Sequence, residues 1–299
     1  MLIHIVRIIS SSIVLIISIP LHAQMEISSP SGVGMSLAML EKATVRLQQH
    51  IDDGDIAGVT AAVARDGELV YFESLGFMDI EQAKPMQRDT LFRTYSMTRQ
   101  ITTIAALILH QQGKFQMSDP IKMYLPEFAN QRVLLNSQST DINQTKARVS
   151  DITVQHLITH TSGLGSRSSQ LYRENRVRDK NFSLNEMVAN AARTPLFQDP
   201  GTQFRYGIHA TILGKLIEVW SGRPLEEFLE EELLSRLGMN STMFWANRSD
   251  QDRLAIVYRP TNGALVPYQI ENIPFTTRPR LIEGGVGLLS SVGDFINFS

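Results

Sequence analysis

An α+β fold is predicted for this chain by a strong hairpin signal near its start and a long succession of helical patterns after it. Residues 59–64 and 69–75 are β-rich and flank Arg65-Asp66-Gly67-Glu68. Asp-Gly between such runs is the strongest short-range hairpin signal a sequence offers. The 299 residues are 43% hydrophobic and 19% charged, ordinary values for a globular protein with a sizeable core. Formal net charge is −2 with no long basic run, so neither nucleic acid nor a polybasic membrane contact is expected. Small, near-neutral ligands fit such a chain better.

In chain order, Arg7 precedes an apolar run over residues 8–19, and Pro20-Leu21-His22-Ala23 ends it. This pattern reads as a signal peptide, residues 1–23, cut after Ala23, which implies a periplasmic or secreted protein. The run is short for a spanning helix, so membrane contact is expected only through an uncleaved signal segment. The chain has no cysteine, which excludes disulfides and thiolate metal sites. Residues 24–36 form a Ser/Pro/Gly linker, and residues 37–299 the folded domain. Its first helix is marked by Leu40, Ala43, Leu47 and Ile51. After the hairpin, Ile101, Ile104, Ala105 and Ile108 form an i, i+3, i+4, i+7 set that predicts a buried helix face, with Gly113 as its cap.

The polar stretch 136–148 predicts a surface loop. Residues 153–159 look helical and run into His160-Thr161-Ser162-Gly163-Leu164. Residues 200–206 predict a turn into a helix carrying Ile212, Leu213, Leu216, Ile217 and Trp220, which Ser221-Gly222 stops. Pro224 then starts another, with Leu225, Phe228, Leu229 and Leu233 inward and Gly238 at its end. No internal repeat is present.

The most informative tetrapeptide is Ser96-Met97-Thr98-Arg99, one residue away from the S-x-x-K signature of penicillin-recognising serine enzymes. Ser96 falls in the first helical turn, where free backbone N–H groups favour negative charge, and the side chain three residues on shares its face. A serine hydroxyl needs a proton acceptor and oxyanion donors to become a useful nucleophile. His156 and His160 have the spacing of an H-E-x-x-H zinc site, but Leu157 stands where the glutamate base would be. No metal or other cofactor is expected. A G-x-S-x-G elbow, a Walker loop and a G-x-G-x-x-G turn are all absent.

Further motifs follow Ser96 in a recognisable order: Thr90-Leu91-Phe92-Arg93 before it, then Gly113-Lys114, Tyr124-Leu125-Pro126-Glu127-Phe128, Leu157-Ile158-Thr159-His160-Thr161-Ser162-Gly163-Leu164, Phe204-Arg205-Tyr206, Leu213-Gly214, Ile217-Glu218 and Leu237-Gly238-Met239. Together they resemble the class C β-lactamase superfamily, and within it the family VIII carboxylesterase branch more than the true β-lactamases. The resemblance covers nearly all of residues 47–298. It implies a β-lactamase/transpeptidase-like fold, an antiparallel sheet packed against a helical subdomain. It also implies that Ser96 is the acylated nucleophile and that the Tyr206 phenolate accepts its proton. The substrate-contacting place of the second motif falls at Ile208. β-Lactamases usually place Asn there, so an apolar residue favours an ester over a β-lactam. His160 is implied to shape the site rather than perform chemistry.

Two departures from that pattern bear on activity. Arg99 replaces the lysine; it keeps the positive charge beside Tyr206 but cannot act as a base, and loss of a general base costs roughly 10²- to 10⁴-fold. The segment from Glu283-Gly284-Gly285 to Asp294-Phe295 resembles one that precedes a third motif on a central strand in relatives, and that motif does not follow before Ser299. C-terminal strands are therefore expected to be missing, leaving the hairpin with an unpaired edge and an uncovered apolar face. The leading expectation is a carboxylesterase-like serine hydrolase with impaired turnover. The alternatives are a non-catalytic penicillin- or peptidoglycan-binding or interaction protein, and a β-lactamase or D-Ala-D-Ala peptidase.

Overall fold

A computed structural model describes residues 26–270, 273 and 275–299; the expected signal peptide lies outside the described residues. Helix α1 (Leu37–Asp52) precedes the predicted hairpin, β1 (Gly58–Arg65) and β2 (Glu68–Asp79). Asp66 and Gly67 both take positive φ, 53° and 81°, the pattern of a turn whose twist matches the strands it joins. A short β3 (Lys84–Pro85) completes an antiparallel sheet of order β1-β2-β3.

Among the described residues β1 has a partner on one edge only. The expectation of an uncovered apolar face needs correction. Leu69, Val70, Tyr71 and Phe72 of β2 are all buried. α1 lies against β2, with Thr44 Oγ1 3.0 Å from the Tyr71 hydroxyl. The last helix, α8 (Val292–Phe298), packs on β1.

Past β4 (Phe92–Arg93) comes α2 (Thr98–Gln111). Its buried face is Thr98, Ile101, Thr102, Ala105, Ala106 and Leu109, while Ile104 is 39% exposed. The apolar spacing therefore placed Ile104 wrongly, because two threonines take the inward places. They do so without cost in unpaired groups: the Leu288 N–H donates to Thr98 Oγ1 at 3.2 Å, and Thr102 donates to the Gly284 carbonyl at 2.7 Å. Loop 136–148 is closed by a small pair, β5 (Val133–Leu134) and β6 (Thr145–Lys146).

Four helices follow: α3 (Val154–Ile158), α4 (Gln170–Glu174), α5 (Leu184–Arg193) and α6 (His209–Ser221). α5 went unread in the sequence although Ser183 and Glu186 form a reciprocal capping box at its start. α6 packs on α2, and the core between and around them gathers Ile101, Ala105, Leu109, Ile212, Leu216 and Ile217. Each buried Leu or Ile contributes about 1.5–3 kcal/mol, so this interface is the main anchor of the helical part. Phe115 stacks on Trp220 at 3.9 Å between centroids, with Tyr124 edge-on to the same indole.

Pro224 caps α7 (Leu225–Leu229), which continues through one π turn. A second hairpin, β7 (Tyr258–Thr261) and β8 (Ala264–Pro267), turns at Asn262-Gly263. Asn-Gly is the same class of signal as Asp66-Gly67, but weak flanking runs hid it. Strand β9 (Leu289–Ser290) pairs with β4, and α8 (Val292–Phe298) follows. No described helix is long and apolar enough to cross a membrane.

The loop after α3 is pinned by Gly163, whose φ is +84° and whose added Cβ would meet the Gln198 carbonyl oxygen at 2.2 Å. Gly163→Ala is expected to destabilise the fold by about 2 kcal/mol or more, lowering Tm by roughly 4–8 °C in a thermal melt. An unchanged Tm would show that this loop does not hold its position against strain.

Candidate active site

Ser96 sits in a 3-10 turn, Tyr95–Met97, that leads directly into α2. Tyr95 holds φ at +43°, an uncommon, strained value for a bulky residue of the kind that clusters at functional turns. The turn is clamped from below. The Thr94 N–H and hydroxyl both donate to the Leu288 carbonyl, at 3.0 and 2.9 Å. The sharp approach presents Ser96 half-buried at the positive end of α2.

Tyr206 reaches the same place from the start of α6. Two backbone bonds lace its turn to the loop after α3: Arg205 N–H to His160 O at 2.8 Å, and Ile208 N–H to Gly165 O at 3.0 Å. Gly207 permits that approach, since a Cβ there would stand 2.4 Å from the Gly165 oxygen. Arg99 joins the two helix starts. Its Nη1 donates to the Gly207 carbonyl at 2.7 Å, and its guanidinium carbon lies 4.2 Å from the centroid of the Tyr206 ring, a favourable cation–π distance. Burial pushes the Arg99 guanidinium down from its ordinary value, and the Tyr206 phenol opposes that shift. Its intrinsic value is so high that it stays charged.

Ser96, Arg99 and Tyr206 therefore line one open cleft of about 810 Å³, together with Met97, Ile104, His160, Leu237 and Phe298. Tyr206 is 46% exposed, accessible to a ligand. Ile208 does not belong with them. It is 4% exposed, packed in the hydrophobic core at the N-cap of α6, because the helix that Tyr206 leads into turns the side chain of residue 208 inward. The expected substrate contact there is corrected to a core role.

His160 lines the same cleft against Tyr206. Its ring stacks on Tyr206 with centroids 5.4 Å apart and planes 10° from parallel, and its Nδ1 lies 3.2 Å from Nδ1 of His209. Burial lowers its pKa, and the Arg99 cation lowers it further. His209 escaped sequence reading altogether; a lone histidine on an apolar helix face carries no signal of its own. His156 serves locally, its Nδ1 accepting from the Thr153 N–H in the α3 capping box. Among the described residues no group of three His, Asp or Glu side chains is arranged to hold a metal.

Chemically the cleft offers a hydroxyl at a helix start, a phenol that can ionise and a permanent cation against that phenol. No carboxylate is among its lining residues. Arg99 has no lone pair to offer, so it cannot accept a proton within this set.

Known proteins share this arrangement of elements. The structure of EstCE1, a hydrolase with promiscuous acyltransferase activity, superposes with a TM-score of 0.75 at 28% identity, covering 88% of this chain and 72% of that one. The simvastatin synthase LovD from Aspergillus terreus gives 0.70 at 25% identity, covering 91% and 67%. Among curated sequences, Protein Rv1367c of Mycobacterium tuberculosis is 30% identical over 255 residues, which are 84% of this chain and 63% of that protein. Esterase EstB of Burkholderia gladioli is 31% identical over 218 residues, 70% of this chain and 52% of EstB. The chain thus spans less than two thirds of the length of these curated relatives. The Beta-lactamase family profile matches residues 44–299, from α1 through α8 and including both helix starts at the cleft, and this chain belongs to that family.

Proposed function

We propose that this chain is a serine hydrolase acting on esters through a covalent acyl-enzyme at Ser96. The observation that carries the reading is the convergence of Ser96, Arg99 and Tyr206 on one cleft, with the guanidinium held against the phenol ring. In this mechanism Ser96 Oγ bonds to the acyl carbon as its proton passes to the Tyr206 phenolate. The tetrahedral intermediate then collapses, the ester C–O bond breaks, and the departing alkoxide takes the proton from Tyr206. Water, or a second alcohol, repeats the two steps in reverse and releases an acid or a new ester. Arg99 favours the phenolate by charge and by position, and it exchanges no proton.

Similarity to EstB and EstCE1, named as an esterase and as a hydrolase with promiscuous acyltransferase activity, supports the ester reading. Met97, Ile104, Leu233, Leu237 and Phe298 give the cleft an apolar wall suited to an acyl chain. The pattern of residues 1–23 supports action in the periplasm or outside the cell. One observation favours a second reading, a non-catalytic binding protein: the cation at the lysine position is an arginine tied to Gly207 O, unable to shuttle a proton.

Ser96→Ala is expected to reduce hydrolysis of a short-chain nitrophenyl ester to background, and Tyr206→Phe to lower kcat by about 10²- to 10⁴-fold. Turnover unchanged in Ser96→Ala would reject the nucleophile, and failure of a fluorescent phosphonate to label Ser96 in the unaltered chain would favour the binding reading. Arg99→Lys is expected to raise kcat, because an amine can give up a proton where a guanidinium cannot. A fall in kcat would mean that the fork geometry of arginine is itself required.

A further inference from the structure

We infer that His160, braced by His209, is a positioning residue for Tyr206: a partly buried hydrogen bond between the two imidazoles fixes one neutral tautomer of His160, whose ring then holds the phenol at the cleft. This rests on the reading of Tyr206 as the group that accepts the Ser96 proton.

His160 occupies left-handed backbone, φ +57°, a conformation that a non-glycine residue keeps only when its surroundings enforce it. Here its carbonyl accepts from Arg205 N–H, next to Tyr206, while its ring is fixed on one side by the phenol and on the other by His209. His209 is fully buried, and its Nε2 has no hydrogen-bond partner.

That orphan nitrogen decides where the protons sit. Each neutral imidazole carries one N–H, so the contact between the two Nδ1 atoms needs one ring to donate and the other to accept. Were His209 the acceptor, its own proton would lie on Nε2, a buried N–H with nothing to receive it. Orphaned buried donors are the rarer and costlier case; an unused lone pair is tolerated better. The proton of His209 is therefore on Nδ1, donated to His160 Nδ1, and His160 carries its proton on Nε2.

Protonating His160 would undo this order. Both its nitrogens would become donors, and His209 would have to reverse and put its proton on the orphaned Nε2. Of the charged groups facing the pair, Arg99 opposes an added positive charge on His160. Arg99 approaches from α2 and Tyr206 from the turn before α6, and Arg205 turns its guanidinium away onto Phe197 at 4.8 Å. Arg167 and Glu283 act on Arg99 with opposite signs. Burial, and then His160, push His209 down to about 3, against a hydrogen bond with the Gly207 backbone that raises it. Both histidines are thus held below the ordinary imidazole value. Because the folded value of His160 is depressed, the brace is intact at neutral pH and is lost as pH falls through that lowered value.

Nitrogen-resolved NMR of the imidazoles in the full chain tests the tautomers without reference to catalysis. The expected result is Nδ1–H on His209, Nε2–H on His160 and protonation of each only below the ordinary imidazole range. Reversed tautomers, or His160 titrating near 6.5, would overturn the inference. Ester turnover provides the functional test. His160→Ala should lower kcat by tenfold or more at neutral pH. His160→Phe keeps a flat ring against Tyr206 and cannot protonate, so it should restore most of that loss and abolish the acid limb of the pH–rate profile. Equal rates for the two variants, or an unchanged acid limb in His160→Phe, would reject the positioning role. Should no ester be turned over at all, the reading of Tyr206 fails while the NMR result still decides the tautomer pair.

Discussion

The bond from Arg99 to the Gly207 carbonyl closes the gap between the starts of α2 and α6, and the candidate site depends on that closure. Two helix N-termini meeting across a cleft bring two sets of unsatisfied N–H groups and two positive dipole ends together. Such a region favours anions, here a phenolate or an oxyanion, but adding a guanidinium to it would ordinarily be unfavourable. The cost is offset because Arg99 finds a carbonyl acceptor and the negative face of the Tyr206 ring at once. Removing either helix start from its place would leave a half-buried cation without partners.

This closure is imposed by packing beneath it. Ala105 and Ala106 on α2 are small enough for α6 to approach closely, and Thr98 and Thr102 seal the upper part of the same face by bonding to the segment 284–288. That segment carries on into β9, which pairs with β4 just before Ser96. The strained turn at Tyr95 is thus held from three directions: by α2, by the β4–β9 pair and by the Thr94 bonds to Leu288. Rigid support of this kind is what allows an unfavourable backbone angle to persist beside Ser96, the proposed nucleophile.

Electrostatically the cleft differs from one built around a lysine. A lysine can supply charge and a lone pair in turn, whereas Arg99 supplies only the charge. Two uncharged groups therefore take on more weight. In the proposed mechanism Tyr206 takes the Ser96 proton, and His160 stacks on its ring beside His209. The chain is similar to proteins named as an esterase and as an acyltransferase, reactions that the mechanism proposed for this cleft accommodates through one serine acyl-enzyme.

Much of this was legible in the amino-acid order alone, where the signal is local. Asp66-Gly67 specifies a hairpin because only residues tolerant of positive φ make its turn. The spacing of Ser96 and Arg99 fixes their common face because α2 repeats every 3.6 residues. Where the sequence misled, long-range contacts had overruled local pattern: Thr98 and Thr102 displaced Ile104 from the core because their hydroxyls found backbone partners nearly two hundred residues away, and Ile208 turned into the core rather than the cleft. His160 and His209 are 49 positions apart, and no rule of spacing links them. Only the tertiary structure brings those two rings together, because the fold alone decides which buried polar atoms have a neighbour to bond.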